Sequence, residues 1–107
     1  MMYYDFEAGS KVYKLRLNTR NIVMLEKQLG CNPLGIFGDG SQLPTITQMV
    51  NVLYASLQQY NHGITLEKAY EIFDAYTEEH ASTDFINVIL EIYRASGIIR
   101  DNQDEKN

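Results

Sequence analysis

The sequence predicts a mainly α fold of the α+β class, an N-terminal β-hairpin leading into about four amphipathic helices packed as a small bundle. Three observations carry that prediction. Residues 11–17 follow a glycine-containing turn and alternate with period two. Four later segments repeat apolar residues at helical spacing. Each of those segments opens on a Ser, Thr or Asn able to cap it, and three of the four close on a glycine. The chain has 107 residues, room for one core, which is expected to span residues 1–99 and to leave a polar, disordered tail over 100–107.

The hairpin is read from Tyr3-Tyr4-Asp5-Phe6-Glu7, a turn at Ala8-Gly9-Ser10, and a second strand over residues 11–17. Lys11, Tyr13, Leu15 and Leu17 share one face, with Val12, Lys14 and Arg16 on the other. A two-stranded sheet is marginal alone, so its apolar face must rest on the helices that follow. Asn18-Thr19 supplies the cap of the first helix, Ile22, Leu25 and Leu29 mark its face, and Gly30 ends it. Residues 31–44 hold three glycines and two prolines and read as a loop of about fourteen residues. No Gly-Lys-Ser/Thr ending and no preceding strand is present there, so a phosphate-binding loop is excluded.

The second helix opens on a capping box, Thr45 with Gln48, and carries Ile46, Met49, Val50, Leu53, Leu57 and Tyr60 as one stripe. Thr65 caps a third helix from Leu66 to about Glu79, with Leu66, Ala69, Tyr70, Phe73 and Tyr76 apolar and Glu67, Glu71, Asp74 and Glu78 forming an acidic stripe. The plain reading of that stripe is a solvated face; the sharper one is a surface for a cation or a basic partner. Ser82 or Thr83 caps the fourth helix, from Asp84 to about Ser96, whose core stripe is Phe85, Val88, Ile89 and Ile92. Ile86, Leu90 and Tyr93 make it apolar almost all round, the pattern of a helix that is either central or covered by a second chain.

Composition narrows function. Apolar residues are 45% and charged residues 21%, which excludes a disordered chain, a collagen-like repeat and a disulfide scaffold. The longest apolar run is about four residues against the ~18 of a membrane span, so no membrane association is expected. Met1 leads straight into Met2-Tyr3-Tyr4-Asp5 with no basic-then-apolar leader, and a cytoplasmic location is the expectation. Residues 54–107 hold four basic against ten acidic side chains, a poor match for phosphate backbones, so nucleic acid is not an expected partner. Lys11, Lys14 and Arg16 form at most a small basic patch and read as the solvent face of a strand. One cysteine, Cys31, and two histidines, His62 and His80, offer neither a nucleophile motif nor metal-ligand spacing. No catalytic residue, cofactor or metal is expected, and the chain reads as a non-enzymatic binding module.

Two stretches carry a resemblance. Residues 13–30, from Tyr13-Lys14-Leu15-Arg16-Leu17-Asn18-Thr19-Arg20-Asn21-Ile22-Val23 to Leu25-Glu26-Lys27-Gln28-Leu29-Gly30, continue into Asn32-Pro33-Leu34. The second is Leu53-Tyr54-Ala55-Ser56-Leu57-Gln58-Gln59-Tyr60-Asn61-His62-Gly63-Ile64-Thr65. Both resemble the tail assembly chaperones of long-tailed phages and prophages of Gram-positive bacteria, and the similarity extends through Ala95-Ser96-Gly97-Ile98-Ile99. The resemblance implies a chaperone in the bacterial host cytoplasm, absent from the mature virion, that coats the tape measure protein until the tail tube polymerises around it. It also implies a longer frameshifted product whose extension recruits tail tube protein. Glu105-Lys106-Asn107 is compatible with GAA AAA AAC, which contains a slippery heptamer. Two rivals stand beside it, a small head–tail joining protein and a regulator that binds a host protein. The expected surface for client or self-association is Ile86, Leu90 and Tyr93 of the fourth helix with Ile98 and Ile99.

Overall fold

A computed structural model describes residues 2–100. Its architecture is an antiparallel hairpin, β1 (Tyr4–Ala8) and β2 (Lys11–Leu15), followed by α1 (Thr19–Leu29), α2 (Ile46–Leu57), α3 (Leu66–Thr77) and α4 (Phe85–Ala95). The strands pair from Tyr4 opposite Leu15 to Ala8 opposite Lys11, and Gly9 makes the turn at φ +64°. Phe6, Ala8, Leu15 and Leu17 point into the core while Val12 stays 61% exposed, the alternation expected of a half-buried ribbon. The second strand stops two residues short of the predicted Leu17. The reason is that the backbone changes partner: Arg16 N–H donates to the Ser56 carbonyl and Leu17 N–H to Ser96 Oγ.

Helix boundaries follow their caps. Asn18 accepts from Asn21 N–H, and Gly30 closes α1 in the left-handed conformation at φ +74°. The Thr45–Gln48 box is complete, with Thr45 N–H donating to Gln48 Oε1 and Gln48 N–H to Thr45 Oγ1. The long loop is not featureless. Pro33–Phe37 forms a 3₁₀ helix, capped by Asn32 accepting from Leu34 and Gly35 N–H, and it buries Ile36. The third helix ends at Thr77 rather than Glu79, and a 3₁₀ turn at Ser82–Asp84 precedes α4. Neither Ser82 nor Thr83 caps that helix by its side chain; Ala81 N–H donates to Asp84 Oδ2 instead. The polar tail read over 100–107 and the slippery-site reading at Glu105-Lys106-Asn107 fall, beyond Arg100, outside the described residues.

The core joins every element. Phe6 of β1, Phe73 and Tyr76 of α3 and Phe85 of α4 form one aromatic cluster, with Phe85 edge-on to the other three at centroid distances of 5.2–5.6 Å. Buried Tyr93 donates its hydroxyl to the Pro33 carbonyl at 2.8 Å, fixing the loop to α4 across 60 residues of chain. Burial holds the Tyr93 phenol well above the usual tyrosine range, and Tyr76 and Tyr4 move the same way, burial being the main cause in each case.

Truncating Phe85→Ala removes the centre of the aromatic cluster and is expected to cost about 3–5 kcal/mol in urea melts, whereas Val12→Ala stays within about 0.5 kcal/mol. The raised phenols give a second expectation. The folded chain keeps protons that an unfolded chain releases near pH 10, so stability is full below about pH 10 and falls as pH rises above it. Tyr93→Phe should flatten that alkaline fall and cost about 1 kcal/mol at neutral pH by leaving the Pro33 carbonyl without its donor. Urea midpoints measured at neutral pH and above pH 10 for both proteins check this.

Candidate functional site

The surface expected on the fourth helix is not laid out as one exposed face. Tyr93 is fully buried, with its ring in the core and its hydroxyl on Pro33, so it is corrected from a surface residue to a core residue. Ile86, Leu90, Ile98 and Ile99 are half-buried, and Ile86, Ile98 and Ile99 pack against the core cluster. The physical reason is position: α4 lies against α2 and β1, so the residues beyond its main stripe also meet neighbours. Of the two meanings of an all-round apolar helix, the central one applies here.

Open apolar surface lies elsewhere. A groove of about 320 Å³ runs between α2 and α3, lined by Ile46, Thr47, Val50 and Asn51 on one side and Leu66, Tyr70, Phe73 and Asp74 on the other. Val50 and Phe73 are buried in its floor, while Ile46 and Tyr70 are 50% and 46% exposed and form its walls. Helical geometry builds this arrangement. Ile46 is the first residue of α2, set by the capping box, so its side chain projects at the helix end where no neighbour covers it. Tyr70 lies one turn beyond Leu66 and beside Phe73, at the border between the apolar face and the acidic stripe.

The two lips of the groove differ in charge. On α2 the lip is neutral, Thr47 and Asn51, and Asn51 Nδ2 donates to the Thr47 carbonyl. On α3 it is acidic: Asp74 lines the groove, and Glu67 and Glu78 lie seven residues before and four after it, on the same edge. Glu71 lies 3.6 Å from Lys68 with both side chains largely exposed, a weak pair. Among the described residues neither Glu67 nor Asp74 has an ion-pair partner.

The sequence reading placed Ile46 and Tyr70 in core stripes and so missed both walls. The available signals were the terminal position of Ile46 and the flanking of Tyr70 by Glu67 and Asp74, which marks the rim of a stripe rather than its centre. Tyr60 is also displaced from the core stripe; it lies beyond α2 and meets the Tyr3 ring edge-on at 5.5 Å. Of the three basic residues read as a patch, Lys14 Nζ lies over the Tyr3 ring, and Arg16, just beyond β2, donates to the Met2 carbonyl.

Among the described residues no group of three or more His, Cys, Asp and Glu side chains is placed to hold a metal ion, and no helix is long and apolar enough to cross a membrane. Chemically, the groove offers apolar contact with charge along one lip, the arrangement of a docking surface for a side-chain stripe.

Comparison with known proteins bears on identity. Neither a curated protein nor a solved structure matches the chain. The sequence pattern that defines the family of unknown function DUF6096 matches residues 5–107, nearly the full length, and the chain belongs to that family.

Proposed function

We propose that the protein is a phage or prophage tail assembly chaperone, non-enzymatic, that binds the tape measure protein and keeps its apolar segments soluble in the bacterial host cytoplasm until the tail tube forms. The single structural observation that supports this reading is the open apolar groove between α2 and α3. A long helical client is best held by many modest contacts that release when the tube subunits arrive, and a shallow groove with two exposed wall residues supplies contacts of that size. The resemblance of residues 13–34 and 53–65 to tail assembly chaperones supplies the identity of the client. On this reading the tail tube protein is a second partner, reached through a longer frameshifted form, and the chain leaves before the virion is complete.

Co-expression tests the reading. The tape measure protein of the source phage or prophage should be insoluble alone, soluble when the chain is present, and recovered in complex with it. Purified particles should lack the chain. A tape measure protein that stays insoluble, or the chain found as a fixed component of particles, overturns the reading; the second result would favour a head–tail joining protein.

A further inference from the structure

We infer that the groove between α2 and α3 takes one amphipathic helix of a partner protein, with its apolar stripe in the groove and a row of Lys and Arg along the flank that faces α3. The inference rests on the reading of the chain as a binding protein for a helical client and names the chemistry of the segment bound. Shape supplies the first part. At twelve residues α3 is about 18 Å long, so three turns of a partner helix lie along it and present side chains at positions i, i+4 and i+7 to one groove. Buried Val50 and Phe73 give those side chains an apolar floor, and half-exposed Ile46 and Tyr70 close over them.

Charge supplies the second part. Asp74 lines the α3 lip, and Glu67 and the C-cap residue Glu78 flank it at helical spacing on the same edge, all three exposed, against the neutral Thr47 and Asn51 of the α2 lip. A helix basic on one flank therefore docks in one orientation, and an acidic one is repelled. The same charges argue against two other occupants. A second copy related by a two-fold axis across the groove would set one acidic lip against another, and one related by an axis along the groove would set each acidic lip against a neutral one, so neither arrangement brings the opposite charge. Residues 101–107, Asp-Asn-Gln-Asp-Glu-Lys-Asn, offer no apolar side chain and carry three acidic side chains against one lysine.

The test uses the full chain and a synthetic helical peptide of about 18 residues, with Leu at every third or fourth position and Lys along one flank. A second peptide carries Glu in place of each Lys. Fluorescence anisotropy should show the Lys peptide binding at least about tenfold more tightly than the Glu peptide, with the gap narrowing as salt is raised. Ile46→Glu should weaken the Lys peptide by at least about tenfold with an unchanged unfolding midpoint, since an acid is well tolerated in the first turn of a helix. The double variant Glu67→Lys, Asp74→Lys should reverse the preference between peptides.

Equal binding of both peptides, or an Ile46→Glu protein that binds as well as the parent, overturns the inference. So does sedimentation showing a dimer of the free chain that Tyr70→Glu dissociates. Failure here is separable from failure of the chaperone reading. If Ile46→Glu still solubilises the tape measure protein, the groove is wrong and the chaperone stands. If the peptides discriminate as expected but the tape measure protein stays insoluble, the groove stands and the chaperone reading falls.

Discussion

The packing of α2 is the constraint on which the rest of the molecule depends. This one helix touches β2, α1, α3 and α4, and its residues Met49, Val50, Val52, Leu53, Ala55, Ser56 and Leu57 are buried. A helix enclosed on so many sides leaves only a strip to solvent, running from Ile46 and Thr47 past Gln48 and Asn51 to Tyr54. Ile46, Thr47 and Asn51 of that strip form one side of the groove. Because the rest of α2 cannot shift without opening the core, the wall is held in place before any partner arrives, which lowers the ordering cost of binding.

Polar ties extend the same rigidity to parts of the chain that hydrophobic burial alone would leave loose. Ser96 Oγ accepts from Leu17 N–H and donates to the Ile92 carbonyl, joining the end of the hairpin to the end of α4 across 79 residues. Tyr93 ties the loop between α1 and α2 to the same helix, and Asn61 Nδ2 donates to the Lys14 carbonyl beside the hairpin. The Ser96 and Tyr93 bonds each close a long-range contact through a backbone group that would otherwise be left without a partner near the core, while the Asn61 bond lies at the surface. The hairpin, too small to stand alone, is thereby held at both its aromatic face and its exit.

The architecture was legible because local signals and burial agree. The Thr45–Gln48 box, the Gly30 stop and the alternation of residues 11–15 each name a structure that packing then keeps. The candidate site was legible only in part. An apolar residue at helical spacing states that it wants cover, not which neighbour provides it. Tyr93 reads as surplus in sequence and becomes core because Pro33, sixty residues away, accepts its hydroxyl. Ile46 reads as core and becomes a groove wall because the neighbours that cover the middle of α2 do not reach its first turn, and Tyr70 does so because it stands at the rim of the α3 stripe beside Asp74. The acidic stripe of α3 was visible throughout, but its meaning depends on the groove beside it, which only the pairing of α2 with α3 creates.

Hydrogen exchange of the chain alone and with the proposed tape measure client bound decides whether the molecule meets its partner through the α2–α3 groove while α4 serves as core. The α4 amides should already be among the slowest in the free chain, and binding should add protection over residues 46–51 and 66–74. Protection gained instead over residues 86–99, with the α2 and α3 segments unchanged, would contradict that arrangement.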